Sequence, residues 1–416
     1  MQDTHLESPA PEILLIGGSG FVGSIVAERF VALGWRVRLL TRTIRPYHTS
    51  FPCEQHAWDG QSIPTEAIEG VRAVINLAGQ PIFDRAWTKG YRQLVLESRF
   101  RAGVALARVL EQVSVKPAVV IQISGTDFYG MEPRDEICDE SSEAGHDFMA
   151  EVGRAHEESA RKIAESTRVC IARMGLVLGW EGGGLPQLWD VYASGCGGML
   201  GNGLQWMNWV HVDDVAGFFV EAVSSESYSG IYNLVAPANA TNREFHRQLC
   251  EYTRSLKFLA APKLYLKAMM GKRANFLLQA PKVATPRATD HGFSYQYPDL
   301  RSALTHLVAE RRHPNAHCVK VKQWLPIEAS EWPPAPELSA FVSHRLCRLW
   351  HHQQRVHSVA GGALIEDRIE YELPLFPLGE LALWFVRNRL HEACRSRRES
   401  LAKLAIQGSP LPAGTR

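Results

Sequence analysis

The apolar run Ile13-Leu14-Leu15-Ile16 stops abruptly at Gly17-Gly18-Ser19-Gly20-Phe21-Val22-Gly23. A short apolar stretch bounded by turn residues predicts a strand buried on both faces. From Ser24 to Leu33 the pattern becomes that of an amphipathic helix, with Gly34 placed to end it. Arg36–Thr41 predicts a second strand, and further buried strands are expected at 71–79, 118–124 and 169–173. Between them, Trp87 to Gln112 reads as a long helix with Leu94, Leu96, Ala102, Leu106 and Leu110 near one side. This alternation predicts an α/β protein: a doubly wound parallel sheet, Rossmann-like, whose turns at Gly17, Thr41, Ala78 and Ser124 converge at the carboxyl ends of the strands.

The glycine turn has a specific chemistry. Gly17 permits the tight strand exit, Gly20 lets backbone approach a pyrophosphate, and Gly23 lets the helix pack closely on the strand. The alternative is a tight strand-to-helix turn with no ligand. About twenty residues on, where an acidic residue would hold a ribose 2′-hydroxyl, the chain has Thr41-Arg42-Thr43. An arginine there matches a 2′-phosphate through forked, charge-assisted hydrogen bonds, so NADP(H) is expected over NAD(H). The competing reading is a solvated surface arginine.

Composition narrows the class. The 416 residues are 45% apolar and 21% charged, enough for two or more domains, and the net charge of +1 leaves no bulk electrostatic footprint for nucleic acid. Eight scattered cysteines without a CxxC pair point to free thiols in a reducing, cytoplasmic setting. The polar opening MQDTHLESPAPE is no secretory core, and no apolar run reaches membrane-spanning length.

The runs GGSGFVG, INLAGQPI, WTKGYRQLVLESR, ISGTDFYG, ARMGLVLG and WVHVDDVAGFFVEAV, in that order, resemble the extended short-chain dehydrogenase/reductases. They are most similar to the atypical, epimerase-like branch, labelled NAD-dependent epimerase/dehydratase or cell-division-inhibitor-like. The resemblance spans about residues 13–307, its last part, 282–304, being similar to the small module that closes such proteins. It implies a cofactor site formed by Gly17, Gly18, Ser19, Gly20, Phe21, Val22, Gly23, Thr41, Arg42, Leu77, Ala78, Gly79 and Ser124. Reductases and epimerases of this kind use a Tyr-x-x-x-Lys pair and a Ser or Thr hydroxyl. No such pair occurs in this chain: its place falls on Phe148/Val152 or Met149/Gly153, and the hydroxyl position on Gly125. The remaining candidates for proton chemistry are Ser124, Asp127 and Tyr129. Asp127 alternatively caps or solvates its turn, and Tyr129 alternatively packs as an aromatic.

Trp87, Thr126, Trp209 and His211 are candidate walls of a substrate pocket, together with the glycine-rich loops 181–185 and 195–203. His211 with Asp213 or Asp214 forms either a polar network under the substrate or the anchor of the helix that follows. The tail changes character: residues 311–416 carry fifteen Lys/Arg against ten Asp/Glu and seven of the sixteen histidines. Trp332 to Pro336 reads as an extended linker, 364–374 as a half-exposed strand, and 381–404 as a basic amphipathic helix. The tail resembles the second half of a START-like ligand-binding domain. That resemblance implies an α+β appendage able to meet a hydrophobic ligand, an acidic partner or a membrane surface. No metal is expected, because the histidines lack a completed ligand set.

The expected organisation is therefore a cofactor domain with a small substrate lobe at 12–250, a closing module at 251–310 and the appendage at 311–416. A cut after Leu307 is expected to leave a folded core. Two functions stay open: an NADP(H)-dependent oxidoreductase or epimerase acting on a small, sugar-like metabolite, and an NADPH-binding sensor without turnover.

Overall fold

The computed structural model describes residues 10–82, 85–132, 134–271, 274–332, 347–374 and 383–407. Six strands, β1 (Glu12–Ile16), β2 (Arg36–Thr41), β3 (Glu54–Ala57), β4 (Ala73–Asn76), β5 (Val119–Gly125) and β6 (Arg168–Met174), join the Gly230–Leu234 strand in one parallel sheet. From one edge the order is Gly230–Leu234, β6, β5, β4, β1, β2, β3. The chain leaves β1 toward β2 on one side and returns to β4 on the other. The crevice between β1 and β4 is therefore the switch point at which ligands bind in such sheets.

Alternation along β1 decides which helices cover which face. Ile13 and Leu15 pack with Val26, Ala27 and Phe30 of α1 (Phe21–Ala32) and with Phe218 and Phe219 of the Val212–Ser224 helix. Leu14 and Ile16 face the other way, against Ala105, Leu106 and Val109 of α3 (Lys89–Leu110) and Ala160 and Ile163 of α4 (Phe148–Ala164). The short α2 (Thr65–Ile68) fills the same side. Leu94, expected on the buried face of α3, is 46% exposed, because this end of the helix stands over a cleft.

The tail folds as an antiparallel sheet in the order His317–Leu325, Gly362–Glu372, Leu349–Val359, with the helix Leu383–Gln407 packed on it through Val386, Leu390 and Cys394. The Gly362–Glu372 strand is not half-exposed as its alternation predicts. It is the middle strand, and its charged residues are buried in pairs: Asp367 with His352 (2.9 Å) and Arg397 (3.0 Å), Arg368 with Glu310 (3.0 Å). The Glu370 carboxylate accepts from the backbone N–H of Arg312 (3.1 Å) and His313 (2.8 Å). Pairing lets charges occupy positions that a polar–apolar pattern assigns to solvent. The predicted linker at 333–336 lies outside the described residues.

The appendage is fixed to the rest of the chain by ions. Lys320 reaches Glu181 (2.7 Å), Lys322 reaches Glu28 (2.8 Å) and Glu181 (3.3 Å), and Arg254 reaches Glu372 (2.7 Å). Asp190 meets both His317 (3.0 Å) and Arg387. Arg387 and Arg397 of the last helix thus pair with carboxylates and Arg398 donates to the His48 carbonyl, while Arg389 and Arg395 are exposed. The void between the appendage sheet and this helix is only about 10 Å³, room for about one water, which does not fit the hydrophobic ligand implied by a START-like domain.

Candidate functional site: a dinucleotide cleft walled by the C-terminal helix

A cleft of about 1010 Å³ opens at the carboxyl ends of β1, β2 and β4. Gly17, Ser19 and Gly20 form its floor, Leu39 to Thr43 one side, and Leu77 to Pro81 the other. The glycine turn is compact. Gly17 sits at φ +80°, and a Cβ there would lie 3.0 Å from the Leu77 carbonyl. A Cβ on Gly23 would lie 2.5 Å from the Gly18 Cα. No side chain caps the start of α1 and no carboxylate occupies its first turn, so its backbone N–H groups and dipole are left for an anion. The opposite turn is pinned by Asn76, whose Oδ1 accepts the Ala78 N–H (3.2 Å) while its Nδ2 donates to Gln122 (2.9 Å). A cradle shaped by missing Cβ atoms at a bare helix start fits a dinucleotide.

Thr41, Arg42 and Thr43 line the same cleft, and among the described residues no carboxylate pairs with Arg42. Arg42→Ala is expected to weaken NADPH binding by about 10–100-fold, the value of a charge-assisted hydrogen bond, and NADH binding by less than about twofold. Titration of both cofactors by calorimetry checks this, and equal losses would remove the 2′-phosphate role. Gly18, Phe21, Val22 and Gly23 shape the turn from behind without reaching the cleft wall. The Phe21 ring packs under the 181–185 loop: a Cβ at Gly182 would lie 2.6 Å from the Phe21 Cβ. The glycines of that loop thus make room for Phe21, and its Glu181 serves the appendage.

Ser124, Thr126, Asp127 and Tyr129 follow the cleft along β5 and lie outside its described lining. The Ser124 hydroxyl donates to Glu157 (3.1 Å). Tyr129 is 1% exposed, with its hydroxyl donating to Asn233 Oδ1 or the Asp139 carbonyl (2.7 Å each) and accepting from Arg173 (2.8 Å). Burial pushes its hydroxyl up to about 12, and this bonding is that of a core anchor. Arg173 itself grips Glu157 with two bonds, 2.7 and 2.9 Å, and lies over the Phe128 ring.

Asp127 is placed differently. Its carboxylate folds back over Gly125, so that Oδ1 stands 1.9 Å from where a Cβ at 125 would be. Burial raises it to about 6; Arg99 pulls the other way, and Asp147 and Glu157 add to the rise. Arg99, from α3, is buried beside Gly79 and donates to the Gln80 carbonyl (2.9 Å), which ties this group to the cleft wall. His156 on α4 is held neutral by burial and by Arg99. The positions of the absent Tyr-Lys pair, Phe148/Val152 and Met149/Gly153, line apolar packing with Tyr91, Val95 and Trp87 or abut Phe128.

Trp87 packs edge-on against Phe148 (5.1 Å) and donates to the Ile82 carbonyl (2.9 Å). Trp209 is fully buried in the core with Trp189 and Phe245, so it walls no pocket. His211 caps the Val212–Ser224 helix, accepting the Asp213 N–H (3.2 Å), and Asp214 accepts from the backbone of Gln296 (2.6 Å) and Tyr297 (3.2 Å). These are anchors of the helix and of the closing module. Among the described residues His211, Asp213 and His306 bring ligand atoms within 4.8 Å of one another, a grouping invisible in sequence because His306 comes from a distant helix. Sequence reading also missed Arg99, buried behind the cleft wall at Gly79, and the tail residues His391, Cys394, Arg395 and Arg398, which themselves line the cleft.

The profile described as the NAD dependent epimerase/dehydratase family matches residues 13–234, and a domain of unknown function, DUF1731, matches 261–307. The chloroplastic SDR39U1 homolog of Arabidopsis thaliana, an epimerase family protein, is 32% identical over 299 residues, covering 70% of this chain and 85% of its own. The crystal structure of human epimerase family protein SDR39U1 with NADPH superposes with a TM-score of 0.64 at 29% identity, covering 72% of this chain and all of the human one. A nucleoside-diphosphate sugar epimerase from Corynebacterium glutamicum shares the fold at 24% identity (TM-score 0.60), over 73% of this chain and 59% of that one. No described helix is long and apolar enough to cross a membrane.

Proposed function

Because the chain belongs to the NAD dependent epimerase/dehydratase family, we propose that it is an NADP(H)-dependent oxidoreductase or epimerase acting on a small, sugar-like metabolite, with Asp127 handling the proton. The observation that carries this reading is the Asp127 carboxylate lying over Gly125. In related enzymes a Ser or Thr hydroxyl belongs at that position, and here an aspartate two residues on fills the space.

The nicotinamide, when bound, supplies or accepts a hydride. The chain's own groups do the rest. The glycine turn and α1 hold the phosphates, Arg42 holds the 2′-phosphate, and the Leu77-Ala78-Gly79 turn faces the ribose side of the cleft. Asp127, raised to about 6, carries a proton over the pH range in which a carbonyl or hydroxyl needs one. The positive charge of Arg99 limits that rise.

Turnover of NADPH across a panel of carbonyl compounds and nucleotide sugars tests the proposal. Asp127→Asn is expected to lower kcat by about 100-fold or more, the worth of a general acid–base, with NADPH affinity unchanged within about twofold. The wild-type profile should bend near pH 6. Stability should move oppositely. A carboxyl whose folded pKa lies above its unfolded value destabilises the fold once ionised, so stability from this group falls as pH rises from about 4 through 6. Asp127→Asn is thus expected to melt higher than wild type at pH 7.5, by about 2 °C, with the gap closing near pH 4.

One observation favours the other reading: the Tyr-Lys positions are filled by apolar packing, and the Ser124 and Tyr129 hydroxyls are spent on structural bonds. Silence across the panel with intact NADPH binding would favour the sensor.

A further inference from the structure

The last helix belongs to the cofactor site. His391, Cys394, Arg395 and Arg398 line the cleft, and their spacing of three, four and seven puts them on one helical face. That face lines the same cleft as Arg42 and Arg45. Together with Arg101 the lining carries five arginines against two carboxylates, Asp59 and Glu97, and two of the five come from the tail.

The helix is held in that place by the loop between β2 and β3. Gln323 Nε2 donates to both the Tyr47 carbonyl (2.8 Å) and the Arg398 carbonyl (3.1 Å), and the Trp324 N–H donates to the Thr49 carbonyl (2.8 Å). Arg398 itself donates to the His48 carbonyl, while its Nε is buried without a partner. Arg395 is exposed on the same face and, among the described residues, meets no carboxylate.

Resting on the NADP(H) reading above, we infer that the C-terminal helix completes the 2′-phosphate subsite, Arg395 and Arg398 joining Arg42 on the phosphate from a second element of the cleft wall. A phosphomonoester dianion has three oxygens and a single arginine fork satisfies two bonds, so a second fork from another element adds affinity and discriminates against NAD(H). The human relative crystallised with NADPH is covered whole by 72% of this chain. Cofactor binding in the family therefore does not require a full counterpart of this tail, and the helix adds a grip of this chain's own.

The test is calorimetric titration of the full chain with NADPH, NADH, 2′,5′-ADP and 5′-ADP. Arg395→Gln, at an exposed position, leaves the fold intact and is expected to weaken NADPH and 2′,5′-ADP by about 10-fold, with NADH and 5′-ADP within about twofold. Arg398→Gln should do the same more strongly, with a melting curve to detect undocking of the helix. The salt dependence of NADPH binding should flatten in both. If wild type prefers NADPH and Arg42→Ala removes that preference while Arg395→Gln and Arg398→Gln do not, the inference falls and the NADP(H) reading stands. If wild type does not prefer NADPH, both fall.

Discussion

Gly23→Ala is expected to reduce NADPH affinity by at least about 100-fold and to destabilise the protein measurably. The added methyl would stand 2.5 Å from the Gly18 Cα and 2.9 Å from the Gly17 carbonyl oxygen, both backbone atoms that no rotamer change can move. Either α1 lifts off β1, whose Ile13 and Leu15 it covers, or the 17–20 loop shifts away from the phosphates. Both routes damage binding, because the loop and the helix start are the two halves of one anion cradle. Gly90→Ala is the control. It is also helical, but its Cβ would meet nothing within 4 Å, so it is expected to bind NADPH as wild type does. Fluorescence titration of both variants separates the steric argument from a general effect of glycine replacement.

Arg173→Met is expected to cost about 3–5 kcal/mol of stability, the range for breaking one side of a buried ion pair. Arg173 is 2% exposed and Glu157 7%. Removing the guanidinium strands the carboxylate, takes a donor from the Tyr129 hydroxyl and empties the face of Phe128. Because most of that loss is the cost of an unpaired buried charge, Glu157→Gln added to Arg173→Met should recover a large part of it. Urea denaturation of wild type, both single variants and the double variant closes the cycle. A double variant no better than Arg173→Met alone would mean that packing, not charge, dominates the site.

How much of this was legible in sequence depended on how far apart the partners lie. The strand, glycine turn and helix at 12–32 are contiguous, so the pattern and its chemistry sit in one window, and Arg42 follows at a fixed interval along the next strand. Asp127 looked like a turn residue because the arginine that modulates it stands on α3, twenty-eight positions earlier, and the space it fills is defined by a side chain that is absent. Tyr129, Trp209 and His211 carry polar atoms that, in a string of letters, resemble site chemistry. In three dimensions each is committed to a core contact or a cap. The tail misled most. Its middle strand alternates as if one face met water, yet ion pairs from three other segments bury both faces. Its last helix touches the β2–β3 loop across 350 positions, a separation at which periodicity carries no information.

The ionic seam at Lys320 and Lys322 bears on where this chain can be divided. Burial works against charge on Glu181, but the two lysines hold its carboxyl down at about 2. A carboxyl depressed in the folded state contributes its full stability above its unfolded pKa of about 4.5 and loses it progressively as pH falls from there to about 2, so acid weakens the seam across that window. Ending the chain at Leu307 would leave Glu28, Glu181 and Asp190 without their cations and Trp189 without the Pro314 carbonyl. The family match stops at 307 while these contacts cross that boundary, so a chain ended at Leu307 is expected to melt lower than the full chain, and thermal melts of the two forms measure what the seam contributes.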